Sequence, residues 1–333
     1  MPRSARPAAE IEAALLRAFL AAGEACVSGE TLAKGVGLSR VAVWGHLHRL
    51  ETEGFSFEAI HSRGYRLTRR PAGLSVALIR ALLPKPPDLL YLEQVDSTNE
   101  EAGRRLTAGE PAPFVVLAAE QTRGRGRFGR TWHSPAGAGN LYLSFGFRPD
   151  LPPERMHLFT LWMGLNLCNL LAAETGTEPR LKWPNDLYYG DRKVGGMLTE
   201  ARIDADTTRE LVFGLGLNVA TPDTAWPREI APRATTLARE AGYELDFNAI
   251  AASIITRVLA AFDHFVARPP LDEIADLWKR HDLLAGRHIT VVHGRETHTG
   301  TARGIDNEGS LILRTAAGRT LRFRAGEVTL RRE

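Results

Sequence analysis

Arginine and glycine alternate in one short segment of the sequence. Residues 123–130 read RGRGRFGR, which places Arg123, Arg125, Arg127 and Arg130 close together. Their charges repel each other unless an anion gathers them, and the intervening glycines let the backbone approach a ligand closely. The segment therefore predicts a loop that becomes ordered around a phosphate. A solvated loop, or a nucleic-acid contact of the RGG kind, is the alternative interpretation.

Two further motifs place charged side chains beside turns. KWPND at 182–186 stands at a predicted strand end, and KVGG at 193–196 begins the next strand. A lysine beside glycines can reach a bound carboxylate or α-phosphate, and Asn185 and Asp186 could orient a phosphate bound to magnesium. The Walker pattern GxxxxGK[ST] is absent, so arginine and lysine side chains would have to hold any ATP phosphates. Taken singly, each motif is also compatible with a solvated surface turn.

The elements that must position these motifs lie between residues 89 and 282. Apolar patterning predicts strands at 89–94, 114–119, 140–147, 181–189, 196–203 and 211–219. Helices are predicted after Ser97, which would cap the first, and at 154–174, 247–267 and 271–282. Runs of strands are thus separated from runs of helices, which indicates an α+β class.

The first 70 residues predict a winged helix-turn-helix. Three short helices are expected, with Ser28 as the cap of the second and a tight turn at 37–39 before the third. Aromatic and apolar pairs on both sides of a turn at 62–64 then predict a two-stranded wing. An ordinary small helical subdomain that binds no DNA is the alternative.

The third helix, 39–50, is the predicted DNA-recognition helix. Its periodicity turns Val43, Leu47 and Leu50 toward the core. The residues left for the DNA side are Ser39, Arg40, Ala42 and His46.

Prolines at 71–88 predict a linker after this module, which occupies 1–70. The central domain would then span 89–282. From 283 to 333, short alternation of apolar and polar residues between turns predicts a small SH3-like β-barrel. A segment this small cannot bury an adequate core alone, so we expect it to pack on the central domain.

Composition limits the class of protein. Hydrophobic residues make up 44% and charged residues 24%, so a folded, soluble chain is expected. The net charge of +3 is too small for a polybasic coat, and any DNA site must be local. Cys26 and Cys168 lack metal or disulfide spacing and are expected to be reduced core thiols. No signal peptide or run of about 18 uncharged apolar residues is found, which predicts a cytoplasmic protein.

Seven motifs occur in a distinctive order along the chain. They are VDSTN at 95–99, EQ at 120–121, GRGRFGR at 124–130, WHSP at 132–135, KWPND at 182–186, KVGG at 193–196 and GLGLNV at 214–219. In this order the sequence closely resembles the biotin-protein ligase family. With the N-terminal winged helix, the resemblance is to the bifunctional type, which is both biotin ligase and biotin operon repressor, and it spans nearly the whole chain.

The resemblance implies roles for individual residues. Those matching the family's biotin site are Ser97, Thr98, Asn99, Gln121, Arg125, Gly126, Arg127 and Lys193. Those matching its nucleotide site are Arg127, Arg130, Trp132, Asn185 and Asn218, although Asn218 could also be an ordinary residue of a strand-end turn. Lys193 and Arg127 would be the catalytic residues, and Asp186 would bind magnesium. Gly45 stands in the recognition helix where the family commonly has lysine, which removes a possible phosphate contact.

The implied activity is ATP-dependent: biotin is activated as biotinoyl-5′-AMP and transferred to a lysine of the biotin carboxyl carrier protein of acetyl-CoA carboxylase. The resemblance also implies a central α+β catalytic domain with a mixed sheet, operator DNA binding, and a homodimer when the adenylate is bound. Two alternatives stay open. One is a biotin-sensing regulator with secondary or lost ligase activity, and the other is a lipoate-protein ligase.

Overall fold

The computed structural model describes residues 7–137 and 139–330. They fall into two compact units. The first contains the chain up to Pro86 together with Asp246–Ala252. The second contains Pro87–Leu245 and the chain from Ser253 onward. The linker at 71–88 and the start of a third domain at 283 stay predictions.

Between Pro7 and Pro86 the first unit contains four α-helices and a hairpin, and the start of a later helix belongs to it as well. Their bounds are α1 (Ala8–Ala22), α2 (Gly29–Val36), α3 (Arg40–Thr52), β1 (Ser56–Ile60), β2 (Gly64–Arg69) and α4 (Val76–Leu82). Ser28 caps α2 by accepting a hydrogen bond from Thr31 N at 3.0 Å, as predicted. Ser39 caps α3 in the same way through Ala42 N at 3.2 Å. The predicted three helices and wing are confirmed.

The wing is joined to the segment before α2 at the start of its second strand. Gly64 has a φ of 110°, and a side chain there would collide with the backbone of Val27. This close approach lets Val27 and Tyr65 exchange two backbone hydrogen bonds, at 2.8 and 2.9 Å. Glycine at the turn therefore fixes the hairpin beside α2.

A seven-stranded sheet is the centre of the second unit. Its strands are β3 (Asp88–Val95), β4 (Phe114–Gln121), β5 (Asn140–Phe147), β6 (Arg180–Lys182), β7 (Asp186–Tyr189), β8 (Arg192–Asp204) and β9 (Thr207–Asn218). Their order is β3-β4-β5-β9-β8-β7-β6, with β3 and β4 parallel and the other pairs antiparallel. The predicted α+β class and mixed sheet are confirmed.

Two sequence predictions differ in detail from the structure. The single strand predicted at 181–189 is divided into β6 and β7, because Trp183, Pro184 and Asn185 form a turn in its middle. The helix predicted from 154 begins with a 3-10 turn at Pro153–Leu158 and becomes α6 (Phe159–Thr175) only afterwards.

The other α-helices in the described part of the chain are α5 (Thr98–Thr107), α7 (Leu237–Ala241), α8 (Phe247–Ala267) and α9 (Leu271–His281). By length and composition, Pro153–Thr175 and Phe247–Ala267 are both apolar enough to cross a membrane. Core helices meet the same criterion, and 67% of the apolar window of the first is buried inside the protein. α6 contacts β6, β7 and β8, as a core helix does.

The last strands form a separate antiparallel sheet. They are β10 (His288–His293), β11 (Glu296–Ile305), β12 (Leu311–Arg314), β13 (Thr320–Phe323) and β14 (Glu327–Leu330), in the order β13-β12-β11-β10-β14. Trp183 Nε1 donates a hydrogen bond to Gly309 O at 3.0 Å, which ties the KWPND turn to this sheet.

Candidate functional site

One pocket of the second unit collects nearly all the ligase residues predicted from sequence. Its walls come from the start of α5, the Gly/Arg loop, the KWPND turn, β8, β9 and residues 326–328. The predicted residues in it are Ser97, Thr98, Asn99, Gln121, Arg125, Gly126, Arg127, Arg130, Trp132, Asn185, Asp186 and Lys193. Asn218 does not line the pocket: it is buried at the end of β9, where its Nδ2 donates to Thr235 O at 3.1 Å.

Buried polar side chains at the start of α5 form one wall. Thr98 donates to Gln121 Oε1 through both its backbone N and its hydroxyl, at 2.9 and 3.1 Å. Gln121 in turn donates to Ser134 Oγ at 2.9 Å. Ser97 is only 2% exposed, and in the described part of the chain its hydroxyl makes no capping bond to the helix. A buried hydroxyl of this kind is available to a polar ligand.

A carboxylate that sequence reasoning missed links this wall to the Gly/Arg loop. Glu200 Oε2 accepts a hydrogen bond from Asn99 Nδ2 at 2.9 Å, and its Oε1 accepts one from Arg125 Nη2 at 2.8 Å. On the other side of Asn99, the Ser144 hydroxyl lies 2.6 Å from Oδ1, to which it can donate. Asn99 is thereby fixed by both ends of its amide.

The GLGLNV motif provides space on the floor of the pocket. A side chain at Gly214 would collide with Asn99 Oδ1. A Cβ atom at Gly216 would lie 2.5 Å from Trp132 Cε2, and one at Gly196 would lie 3.1 Å from Trp132 Cζ3. Glycine at 216 therefore permits close packing of the indole on β9, and glycine at 214 leaves room for Asn99. Among the described residues, Trp132 Nε1 is buried without a hydrogen-bond partner, so it can donate to a ligand.

Three of the four loop arginines are held by carboxylates. Arg125 pairs with Glu100 and Glu200, Arg130 pairs with Glu327, and Arg123 Nη2 lies 3.3 Å from an oxygen of Asp96. The predicted mutual repulsion is thus relieved by acidic residues of the chain itself.

Arg127 is the exception in this loop. Within the described ranges no carboxylate lies within 4 Å of its guanidinium, and its Nη1 is 3.3 Å from Asn185 Oδ1 and 3.5 Å from Gly326 O. Burial lowers the pKa of Arg127, against the smaller opposing influence of Asp186 and Glu327. A cation that has lost part of its hydration, with only neutral partners among the described residues, favours an anionic ligand.

Two lysines and an aspartate complete the charged side of the pocket. Lys193 Nζ lies 2.7 Å from Asp186 Oδ1 and 5.1 Å from the centre of the Trp132 ring. Lys182 is half-buried, and this burial is the main reason that its pKa is lowered. The pocket thus concentrates positive charge at low solvent exposure, which suits stabilisation of a phosphate that gains charge during a reaction.

Lys182, Glu200 and Glu327 are pocket or loop contacts that sequence reasoning did not select. Lys182 carried a usable signal, because it opens the KWPND motif. Glu200 and Glu327 carried no such signal in the sequence. Glu200 reaches its partners because β8 pairs with β9, and Glu327 does so because of the position of the last strand.

The structure corrects one residue of the predicted DNA surface. Ser39 and Arg40 are exposed and Ala42 is half-buried. The prediction for His46 is wrong: its side chain is 10% exposed, and Nδ1 lies 3.1 Å from Glu12 Oε1 on α1. Val43, Leu47 and Leu50 are buried as predicted.

Cys26 and Cys168 are both unpaired. Cys168 is buried as predicted, and burial raises the pKa of its thiol, whereas Cys26 is only half-buried, so the prediction of a core thiol is wrong there. Across residues 7–137 and 139–330, no three His, Cys, Asp or Glu side chains cluster closely enough to hold a metal by themselves. A magnesium ion bound mainly by phosphate oxygens needs only one or two carboxylates. Asp186, beside the Asn185 oxygen, fits that requirement.

Three sequence-family models match the chain. The Biotin/lipoate A/B protein ligase family matches residues 91–218, the Biotin protein ligase C terminal domain matches 285–331, and the HTH domain matches 12–66. The bifunctional ligase/repressor BirA of Bacillus spizizenii is 33% identical over 310 residues, which cover 91% of this chain and 94% of that protein. The biotin--[acetyl-CoA-carboxylase] ligase of Mycobacterium tuberculosis is 34% identical over 241 residues, covering 71% of this chain and 86% of that protein.

A solved structure resembles the fold as well. The biotin protein ligase from Aquifex aeolicus in complex with biotin and ATP superimposes with a TM-score of 0.62 at 30% identity, covering 74% of this chain and 99% of that one.

Proposed function

Because this chain belongs to the biotin protein ligase family, we propose that it is an ATP-dependent biotin-[acetyl-CoA-carboxylase] ligase that also represses transcription. The observation that carries the ligase assignment is the convergence of the motif residues from α5, the Gly/Arg loop, the KWPND turn and β8 on one pocket. The helix-turn-helix match and the bifunctional relatives support the second activity.

The first reaction step joins two anions. A carboxylate oxygen of biotin attacks the α-phosphorus of ATP, the bond from that phosphorus to its bridging oxygen breaks, and pyrophosphate leaves. The main requirement is neutralisation of charge, which we assign to Lys193 and Arg127. Asn99 and the Ser97 hydroxyl, fixed or buried at the start of α5, would orient the biotin.

The second step transfers the acyl group. The amine of an acceptor lysine attacks the acyl carbon of biotinoyl-5′-AMP, AMP leaves, and the nitrogen loses a proton. Until that amine arrives, the mixed anhydride must be kept from water, and we assign this role to the Gly/Arg loop. Trp132 would pack against the adenine, with Arg130 and Asn185 near the nucleotide.

Magnesium would be held by Asp186 together with phosphate oxygens, and when bound it would neutralise phosphate charge. The Lys193–Asp186 contact keeps the lysine at the same place. We propose a biotin carboxyl carrier domain as the acceptor. A cytoplasmic location is proposed because both cysteines are unpaired, as is usual in a reducing compartment.

For repression, we propose that the bound adenylate promotes a two-fold dimer that sets two winged helices on a palindromic operator. Arg40, exposed at the start of α3, would contact DNA. We expect the wild-type protein to shift operator DNA in a mobility assay only when biotin and ATP are present. Arg40→Ala should lose this shift.

Biotin-dependent exchange of labelled pyrophosphate into ATP tests the ligase assignment. We expect exchange with biotin and none with lipoate. A protein that shifts DNA but supports no exchange would be a regulator without ligase activity, and exchange driven by lipoate would identify a lipoate ligase. Labelling of a purified carrier domain by the same preparation tests the proposed acceptor.

A further inference from the structure

We propose that α3 reads its operator through apolar contacts, with Val41 and Trp44 packing on thymine methyl groups in the major groove. The inference rests on the proposed repressor function and specifies how that function selects its DNA. It begins from an unusual surface of the N-terminal unit.

Two large apolar side chains of α3 face the solvent. Val41 is 79% exposed and Trp44 is 57% exposed, and in the described part of this unit no other large hydrophobic side chain is so exposed. Trp44 is also held in place: its ring stacks on His48 with parallel planes and centroids 5.6 Å apart. An exposed indole beside a second exposed apolar side chain marks a candidate interaction surface.

These side chains stand where a recognition helix meets bases. α3 begins at Arg40, so both lie in its first turns, and residues at the N-terminal end of such a helix contact base edges. Three positions separate them, which puts them on one face of the helix.

Gly45 lies beside Trp44 on the same helix and has no packing role. A Cβ atom there would meet nothing within 4 Å among the described residues, so no neighbour in the protein requires glycine at this position. A glycine inside a helix costs about 1 kcal/mol relative to alanine. The missing side chain leaves the backbone of α3 free to approach the floor of a groove closely.

The charges around the patch favour nucleic acid over an apolar protein partner. Arg40 at the start of α3 and Arg63 in the turn of the wing are both exposed, and within the described ranges neither has an acidic side chain within 4 Å. Exposed cations near an apolar patch match the phosphates that border a groove, and the nearby Glu51 carboxylate is paired with His48 at 3.1 Å.

The chemistry of the patch specifies the base. Valine offers no hydrogen bond and tryptophan only one donor, so neither can form the bidentate pair that reads guanine or adenine. The apolar group that the major groove presents is the C5 methyl of thymine. The two side chains therefore suit A·T pairs with thymine on the contacted strand.

The test uses the full chain with biotin and ATP. Duplexes are selected from a random pool, and in the best binder each thymine is replaced in turn by deoxyuridine, which removes only the methyl group. We expect a loss of about fourfold in affinity at each contacted thymine, the factor that corresponds to burial of one methyl group. In Trp44→Ser or Val41→Ser, deoxyuridine at the thymine that the deleted side chain contacts should no longer lower the affinity.

Arg63→Gln is the matched control. A lost phosphate contact should weaken binding to all duplexes and lower the slope of log affinity against log salt by about 1, with the deoxyuridine effect unchanged. Melting temperatures check the fold of each variant, and the deoxyuridine series on the wild-type protein needs no variant.

Equal affinity of the wild-type protein for thymine and deoxyuridine duplexes would overturn the inference while leaving the repressor function standing. The same holds if Trp44→Ser changes only the oligomeric state, because the patch would then be an interface between copies of the chain. Failure to select any duplex would refute the repressor function itself.

Discussion

Removing the ammonium group of Lys193 should nearly abolish formation of the adenylate. Its Nζ lies 2.7 Å from Asp186 Oδ1 inside the pocket, and the side chain is 31% exposed. Loss of one donor aimed at charge that develops in a transition state costs roughly 2.7–4 kcal/mol, or about 10²–10³ in rate. We therefore expect Lys193→Ala to lower biotin-dependent pyrophosphate exchange by at least about a hundredfold.

The fold should tolerate this substitution. A partly exposed ion pair contributes about 1 kcal/mol or less, so the melting temperature should fall by only a few degrees. Arg192→Ala is the matched control, because this neighbouring cation pairs with Glu240 at 2.8 Å and does not line the pocket. It should lose similar stability and keep its exchange activity.

Part of the loss in Lys193→Ala would come from the carboxylate left without its partner, which repels the phosphate. Exchange within about threefold of wild type in a folded Lys193→Ala protein, a loss of less than about 0.7 kcal/mol, would refute the electrostatic role.

Other variants test the loop, the floor and a charged contact. Arg127→Gly should release the adenylate, seen as biotin attached to lysines of a bystander protein such as albumin; unchanged retention of the adenylate would contradict this. Gly214→Ala should displace Asn99 and weaken biotin binding about tenfold in calorimetry, the effect of one lost hydrogen bond, and an unchanged Kd would count against that role. Asp96→Asn should lower the free energy of unfolding at pH 7 by about 1 kcal/mol after solvent screening. The pKa of Asp96 is lowered to about 2, mainly by the side-chain hydrogen bond from Arg104. The difference in unfolding free energy between wild type and Asp96→Asn should therefore disappear as the pH falls from about 4 to about 2. A difference that stays constant in urea titrations over this pH range would refute a stabilising Arg104–Asp96 ion pair.

Local patterns predicted most of the elements because the signals were local. Ser28 and Ser39 cap helices through backbone groups three residues away, and strand alternation needs only its own segment. The single strand predicted at 181–189 failed for the opposite reason. Apolar residues on both sides of the KWPND turn continue the strand pattern, while the turn that interrupts it hydrogen-bonds to a distant part of the chain through Trp183.

His46 was predicted to face DNA, yet its side chain is buried. Positions 43, 46, 47 and 50 share one helical face, so the spacing that buried Val43 also pointed His46 inward. The assignment of His46 to the DNA side conflicts with this spacing. The carboxylate of Glu12, 34 residues earlier on α1, compensates for the burial of His46 by a hydrogen bond, and no local pattern connects the two residues.

The four loop arginines look equivalent in the sequence, and tertiary contacts divide them by role. Arg123, Arg125 and Arg130 are bound to carboxylates that come from three separate parts of the chain, so they fasten the loop over the pocket. An adenylate would gain little by drawing them away, because each move would leave a carboxylate unpaired. Arg127 alone is half-buried with no carboxylate within 4 Å in the described chain, and can turn to a phosphate without breaking an ion pair. The acidic partners, which the sequence does not reveal, therefore determine which arginine is free to act on the ligand.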